Sequence, residues 1–151
     1  MGNLLGEIFD VRSIKLNLDG KTKETVLAEL VDGISDLYPD CNMADVLTAI
    51  REREKKMSTG IGNGVAIPHA FCRGITSMAG AIGVSQQGID FGALDKKPVH
   101  VIFLLAVDER AEENHLRILN KLFKLAQSEA FPLIKNAKSA QDIHAILLQA
   151  Q

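Results

Sequence analysis

The sequence predicts an α/β fold in which a mixed β-sheet is covered by helices on both faces, and two patterns support that prediction. Residues 99–107 read VHVIFLLAV, a nearly unbroken apolar run that is typical of a strand buried on both faces. Apolar residues at three- and four-residue steps indicate amphipathic helices before and after that strand. Strands and helices therefore interleave along the chain, which favours a layered α/β domain.

The size and charge of the chain narrow the class of protein. Its 151 residues, 46% of them hydrophobic, suffice for one domain with a proper core, so we expect a single domain over residues 1–151. The 17 Lys and Arg nearly balance the 19 Asp and Glu, which indicates no nucleic-acid partner. No apolar run approaches the roughly 20 residues of a membrane-spanning helix, and the first residues lack the basic start of a secretory signal. We expect a cytoplasmic protein without membrane insertion.

One strand and two helices are predicted for the first part of the chain. Residues 14–18 alternate apolar and polar side chains, as a strand with one buried face does. Residues 22 to about 37 form the first helix, whose apolar stripe is Val26, Leu27, Leu30, Val31, Ile34 and Leu37. Asn42 is a typical N-cap residue, and Asp45 lies in the first turn of a second helix that runs to about Lys55.

Strands dominate the centre of the chain and helices its end. A short strand at residues 65–67 is expected to end at Pro68, because proline has no N–H to continue a ladder. A strand over residues 77–84 precedes the buried strand of residues 99–107. After a charged turn comes a helix whose apolar residues are Leu116, Leu119, Leu122, Phe123 and Ala126. A last helix follows Pro132 and carries Ile143, Ile146 and Leu147.

The cysteines and histidines offer no metal site. Cys41 and Cys72 are far apart and lack CxxC spacing, so we expect reduced thiols and no disulfide. A zinc site at His69 and Cys72 would need a second pair of ligands at suitable spacing, and the sequence has none. We therefore expect neither a metal nor another cofactor.

A glycine-rich segment leads to His69, which we regard as the working residue of the protein. Residues 58–69 read STGIGNGVAIPH and place His69 at the end of a predicted strand. A neutral imidazole, with an ordinary pKa near ~6.5, is a competent nucleophile toward phosphorus and forms a reactive phosphoramidate. The alternative is a histidine that merely caps a strand, and the surrounding segment favours the phosphoryl-transfer role.

The loop before His69 has two interpretations. Gly60, Gly62 and Gly64 leave backbone N–H groups able to face an anion, as in phosphate-binding nests, and the hydroxyls of Ser58 and Thr59 add donors. The alternative is a flexible connection. The loop matches neither the Walker motif nor GxGxxG, which disfavours a nucleotide-binding fold. These five residues are our candidate phosphate ligands.

Arg53 and His115 are candidate partners of the phosphoryl group. A guanidinium forms paired hydrogen bonds to phosphoryl oxygens, but Arg53 lies in the run REREKK, and periodicity alone favours a solvated helix face. His115 lies in or just before the first turn of a helix, where the dipole favours a negative charge. A surface histidine on an acidic turn explains His115 equally well. His100 and His144 are predicted to be structural.

Residues 53–69, which read REKKMSTGIGNGVAIPH, resemble the enzyme IIA domains of the bacterial phosphoenolpyruvate-dependent phosphotransferase system. The resemblance is to the fructose/mannitol type, type 2, and above all to the nitrogen-regulatory enzyme IIA. It extends over nearly the whole chain, since the family also has a buried strand, an acidic turn and a His-Leu helix, here residues 98–119. It implies a mixed five-stranded sheet flanked by helices on both faces.

The resemblance also implies roles for individual residues. His69 matches the family's phosphorylated histidine, which receives phosphate from phospho-HPr and is expected to carry it on Nε2. His115 matches the second active-site histidine that supports the phosphoryl group, and Arg53 matches the arginine that points at it. Asn63 occupies a position that carries glutamate in some mannitol-type members.

Two functions follow from this resemblance. The first is a phosphocarrier, a transferase component that passes phosphate from His69 to a cysteine or histidine of enzyme IIB in a sugar relay. The second is a regulatory binding module whose phosphorylation state controls partner proteins without passing phosphate to a sugar. A metabolite-binding domain built on the glycine loop is an unrelated and less favoured interpretation.

Overall fold

The computed structural model describes residues 4–75 and 77–150, and its centre is a mixed six-stranded sheet. The strands are β1 (Ile14–Lys15), β2 (Gly60–Gly62), β3 (Val65–Ala66), β4 (His69–Phe71), β5 (Met78–Ile89) and β6 (Val99–Val107). The helices are α1 (Leu4–Ile8), α2 (Lys23–Ser35), α3 (Met43–Lys56), α4 (Glu112–Ala126), α5 (Ala130–Lys135) and α6 (Ala140–Gln149). Within the described ranges, no helix combines the length and apolarity needed to cross a membrane.

Strand β6 is the centre of the sheet. It pairs antiparallel with β5 on one edge and parallel with both β3 and β4 on the other. β1 is parallel to β5 and β2 antiparallel to β3, so the order is β1-β5-β6-β3-β2, with β4 alongside β6 beyond β3. Six segments thus fill five positions, and the expected mixed five-stranded sheet is confirmed.

Both faces of the sheet are covered because successive side chains of β6 point to opposite sides. Ile102 and Leu104 pack with the buried residues of α2 and α3 on one face. Phe103 and Leu105 pack with those of α1, α4, α5 and α6 on the other. All four side chains are fully buried, which is why this strand is apolar without alternation.

Side-chain caps set the starts of the two helices predicted in the first part of the chain. The Thr22 hydroxyl accepts the N–H of Thr25 before α2, and the Asn42 side chain accepts the N–H of Asp45 before α3. Such caps satisfy N–H groups that have no partner within the helix. The predicted start of α3 after Asn42 is confirmed.

The chain around Pro68 agrees with the prediction in one respect and differs in another. Strand β3 ends before Pro68, as expected, but pairing with β6 resumes directly after the proline, with His69 opposite Leu105. Although Pro68 has no N–H to donate, its carbonyl accepts the N–H of Leu105 at 2.8 Å, so the ladder continues. The preceding glycine segment is also no flexible connection, because Gly60–Gly62 forms β2 and pairs with β3. His69 therefore begins a strand instead of following one.

The apolar face predicted for α4 is partly wrong. Leu116 and Phe123 are 58% and 40% exposed, whereas His115 and Ile118 are buried. Helix α4 carries apolar residues on more than one side, and its periodicity does not say which side packs on the sheet. The short helices α1 and α5 were not predicted, and α5 contains Pro132, which the sequence had placed before the last helix.

Candidate functional site

A cleft at the junction of β3 and β4 brings together most of the residues predicted for the site. Its volume is about 400 Å³, and it lies between the end of α3, the β2–β3 hairpin and the second half of α4. From the predicted set, the residues that line it are Arg53, Ser58, Thr59, Gly60, Gly62 and His69. His115 lies beside His69, so the fold assembles residues from three separate parts of the sequence.

The His69 ring is oriented by a nearby backbone carbonyl. Its Nδ1 lies 2.7 Å from the carbonyl oxygen of Ile67. A carbonyl oxygen only accepts hydrogen bonds, so we assign the ring proton to Nδ1, which leaves a lone pair on Nε2. Nε2 is therefore the nucleophilic nitrogen of the neutral ring.

The surroundings of His69 favour its neutral form. Burial lowers the pKa of His69 below its ordinary value, and the positive charge of Arg53 lowers it further. The hydrogen bond to Ile67 and the negative charge of Glu54 oppose that shift without reversing it. The imidazole is therefore neutral near pH 7, as a nucleophile must be.

His115 lies in the first turn of α4 and is 6% exposed. Its ring centroid is 5.1 Å from that of His69, and the ring of Phe71 packs edge-on against it at 5.4 Å. Within residues 4–75 and 77–150, neither ring nitrogen of His115 has a hydrogen-bond partner. Burial lowers the pKa of His115, and the adjacent His69 lowers it further. A buried imidazole without a partner suits a site where a ligand supplies the missing acceptor.

Arg53 lies in the last turn of α3 and lines the cleft together with His69. One guanidinium nitrogen, Nη1, donates to the carbonyl oxygen of Met57 at 2.9 Å. A guanidinium has five N–H donors in a fixed plane, so this bond orients the group while leaving others for a ligand. Periodicity alone favoured a solvated face for Arg53, and only the family resemblance indicated its place at the site.

The donors at the start of the glycine loop are used within the protein. The Ser58 hydroxyl donates to the carbonyl of Phe91 at 2.6 Å, and the N–H of Gly60 donates to Ser58 Oγ at 3.1 Å. Thr59 donates both its hydroxyl and its N–H to Glu54, at 2.6 and 2.9 Å. These bonds make the segment a fixed wall of the cleft. Direct phosphate binding by these residues stays a prediction.

The hairpin turn accounts for the glycine spacing. Gly62 and Gly64 have φ values of +94° and +81°, in the left-handed region that glycine adopts without strain. Asn63 between them has φ 57°, which asparagine tolerates better than most residues. A Cβ on Gly60 would lie 2.8 Å from the Cβ of Ala93, so this position is closely packed.

Sequence reasoning missed Glu54, a buried carboxylate next to Arg53. Besides the two bonds from Thr59, Glu54 accepts the Lys23 ammonium at 2.9 Å, and it is 6% exposed. Glu54 lies in a run of charged residues, which suggested a solvated surface, but its spacing from other residues indicated burial. Glu54 follows the buried Val46 and Ile50 at four-residue steps, which places it on the inner face of α3.

The remaining histidines and the cysteines lie outside this cleft. His100 and His144 each place a ring nitrogen 2.9 Å from a backbone carbonyl oxygen, as structural histidines do. Cys41 and Cys72 are free and buried, and burial raises the pKa of Cys72 to about 11. In the part of the chain that the structure describes, no three metal-ligating side chains come together.

Removing the charge of Arg53 is expected to raise the pKa of His69. In an Arg53→Gln variant the ring no longer has a nearby cation that opposes its protonation. An NMR titration of the His69 Cε1–H resonance measures the change. Lys55→Gln is the control, because Lys55 lies on the same helix and is 70% exposed. A pKa of His69 that stays constant or falls in Arg53→Gln would show that Arg53 does not act on the ring.

Comparison with known proteins identifies the class of protein to which this fold and cleft belong. A family model described as "Phosphoenolpyruvate-dependent sugar phosphotransferase system, EIIA 2" matches residues 7–150. The chain therefore belongs to the type 2 enzyme IIA family and is a phosphotransferase-system component. The family inferred from residues 53–69 is confirmed.

Relatives of two kinds are similar to this chain. It is 31% identical over 137 residues to a nitrogen regulatory protein of Pseudomonas aeruginosa, covering 90% of this chain and 89% of that one. It is 37% identical over 123 residues to the fructose-specific EIIABC component of Bacillus subtilis, covering 82% of this chain but only 19% of that protein. Both regulatory and sugar-specific proteins are thus among its relatives.

Solved structures confirm the fold. The crystal structure of the nitrogen regulatory protein IIA-Ntr from Neisseria meningitidis matches with a TM-score of 0.88 and 34% identity, covering 95% of this chain and 99% of that chain. The crystal structure of IIA mannitol from Escherichia coli has a TM-score of 0.74 at 16% identity, covering 92% and 98%. At that low identity the second match supports the architecture alone.

Proposed function

We propose that this protein is a histidine phosphocarrier that accepts a phosphoryl group from phospho-HPr on Nε2 of His69. The observation that carries the proposal is the bond from Nδ1 to the carbonyl of Ile67, which leaves Nε2 as the nucleophile in the cleft. Membership of the enzyme IIA family supports the same chemistry. The cytoplasm is the proposed location.

The transfer exchanges one P–N bond for another. The lone pair on Nε2 of His69 forms a bond to phosphorus while the bond to the HPr histidine breaks, and that electron pair returns to the HPr imidazole. The proton on Nδ1 stays in place. As the ring of His69 becomes more positive, its bond to the Ile67 carbonyl becomes charge-assisted and stronger.

His115 and Arg53 stabilise the phosphoryl group during this exchange. Negative charge spreads over the equatorial oxygens, and catalysis consists mainly of positioning and electrostatic stabilisation. An N–H of His115, which has no partner among the described residues, donates to one oxygen, and the Arg53 guanidinium faces the others. The glycine loop contributes the wall of the pocket through Ser58, Thr59 and Gly60.

Exposed apolar side chains around the cleft suit the docking of partner proteins. Met57, Leu94 and Phe123 line the cleft with 68%, 80% and 40% of their surfaces exposed. Phe71 is 45% exposed and packs on His115, and Ile61 also lines the cleft. Clustered exposed apolar residues mark protein contacts. Phospho-HPr and the acceptor protein therefore dock on this rim in turn.

The fate of the phosphoryl group separates the relay from the regulatory alternative. In the relay, His69 passes it to enzyme IIB. In the alternative, phosphorylation of His69 controls the association of the protein with a regulated partner, without transfer to a sugar. The alternative is favoured by 34% identity to a nitrogen regulatory IIA-Ntr over 95% of this chain. Both functions use the same site.

Incubation with phosphoenolpyruvate, enzyme I and HPr tests the proposal. Intact mass spectrometry is expected to show one added phosphoryl group that is lost in acid, and none when HPr is omitted. Wild-type protein that never gains the group would overturn the proposal. Addition of a fructose- or mannitol-type enzyme IIB then distinguishes the two functions. Rapid loss of the group to enzyme IIB supports the relay, and its retention supports regulation.

A further inference from the structure

An unbroken series of hydrogen bonds joins Glu54 to the His69 ring. The two carboxylate oxygens of Glu54 accept the hydroxyl and the N–H of Thr59, at 2.6 and 2.9 Å. The carbonyl of Thr59 accepts the N–H of Ile67 at 3.0 Å. The carbonyl of Ile67 accepts Nδ1–H of His69 at 2.7 Å. The end of α3 is thus connected to the ring through the backbones of Thr59 and Ile67, which lie directly before β2 and directly after β3.

The surroundings of Glu54 make it a rigid anchor for that series. A buried carboxylate is costly unless it is paired and hydrogen-bonded. Glu54 receives three donors, two from Thr59 and the Lys23 ammonium at 2.9 Å, and is 6% exposed. Lys23 also lies over the ring of Phe91, 5.1 Å from its centroid. The Phe91 carbonyl in turn accepts the Ser58 hydroxyl, so the loop is held from both sides.

We infer that Glu54 is a positioning residue that selects the tautomer of His69. By holding Thr59, and through it Ile67, Glu54 fixes the carbonyl that keeps the ring proton on Nδ1 and the lone pair on Nε2. When an amide replaces the carboxylate, one oxygen remains to accept from Thr59 and the other bond is lost, so the hairpin is held less firmly to α3. The ring then also populates the form protonated on Nε2, which has no lone pair there to attack phosphorus. The catalytic consequence rests on the proposed function of His69.

The ring nitrogens of His69 provide the direct test. In ¹⁵N-labelled wild type without phosphate, the shifts of Nδ1 and Nε2 are expected to show mainly the Nδ1–H form. In Glu54→Gln the population ratio of the Nδ1–H form to the Nε2–H form is expected to fall by about fivefold or more, which is the effect of one ordinary hydrogen bond. The kcat for phosphorylation is expected to fall together with this ratio. The KM for phospho-HPr stays near wild type, because the exposed apolar side chains around the cleft are unchanged.

Glu52→Gln is the matched control for the loss of a carboxylate from α3. Glu52 is 64% exposed, and its ion pair with Lys55 is 3.7 Å long. Its replacement is expected to change neither the tautomer of His69 nor kcat. Any shift of the tautomer in this variant as large as that in Glu54→Gln would overturn the inference.

Two variants of Thr59 keep the inference testable if Glu54→Gln does not fold. Thr59→Val removes the hydroxyl with little change of shape and is expected to weaken the Nδ1–H preference. Thr59→Ser retains the hydroxyl and is expected to preserve it. A wild-type tautomer ratio in Thr59→Val, or in folded Glu54→Gln, overturns the inference. Because the tautomer is measured without phosphate, this result is distinct from failure of wild type to accept phosphate, which overturns the proposed function.

Discussion

Replacement of His69 by glutamine is expected to abolish phosphoryl acceptance. The glutamine amide occupies similar space but has no nucleophilic nitrogen lone pair, and loss of a nucleophile costs on the order of 10⁴-fold or more in rate. His100 and His144 do not substitute for it, since both lie outside the cleft and are bonded to backbone carbonyls. Phosphorylation is measured by intact mass after incubation with phosphoenolpyruvate, enzyme I and HPr.

His144→Gln is the control, because it removes an imidazole that does not line the cleft, and it is expected to accept phosphate at the wild-type rate. A His69→Gln protein that still gains an acid-labile phosphoryl group would contradict the prediction. That group would then lie on another histidine, and His115 is the first to examine, at 5.1 Å between ring centroids. Such a result would reverse the roles assigned to the two rings.

Replacement of His115 by alanine is expected to slow phosphorylation of His69 by about 10²–10³-fold, the usual cost of removing one donor to a developing negative charge. The donor is available because, among the described residues, neither nitrogen of His115 has a partner. Asn114→Ala, an exposed neighbour on α4, is the control. Thermal unfolding of each variant shows whether the loss of rate accompanies a loss of fold. A wild-type rate in folded His115→Ala would remove His115 from the site.

The pKa of His115 offers a second measurement of the same role. In the unphosphorylated protein, burial and the neighbouring His69 both lower it. A phosphoryl group on His69 places negative charge beside the ring and is expected to raise the pKa of His115, because an adjacent anion favours protonation. NMR titration before and after phosphorylation measures the sign of the change. A further fall on phosphorylation would contradict contact between His115 and the phosphoryl group.

Local patterns in the chain were enough to predict the main elements. The apolar run of residues 99–107 coincides with β6, because a strand buried on both faces carries apolar side chains at nearly every position. Asn42 marked the start of α3 because its side chain satisfies a free N–H of the first turn. The segment before His69 was specific enough to indicate the family, which the family model confirms.

Non-local contacts decided the features that these patterns missed. Periodicity did not show that His115 faces the core while Leu116 faces solvent, since packing on the sheet selects the inner side of α4. Nor did it show that strand pairing continues past Pro68, which depends on the carbonyl that this proline offers to β6. Glu54 was concealed for the same reason, because Lys23 and Thr59, which make its burial tolerable, come from other segments.

The sequence and the tertiary structure thus determine different parts of the chemistry of this protein. The order of residues alone indicates a histidine after a glycine-rich segment as the candidate nucleophile, because side-chain type and local spacing are properties of the sequence. The family resemblance implied Nε2 as the phosphorylated atom, but only the folded molecule supplies the physical reason, since the orientation of the Ile67 carbonyl, the buried ring of His115 and the Glu54 anchor exist only in the tertiary structure. Those contacts set hydrogen bonding and burial, and these determine the tautomer and the pKa of His69.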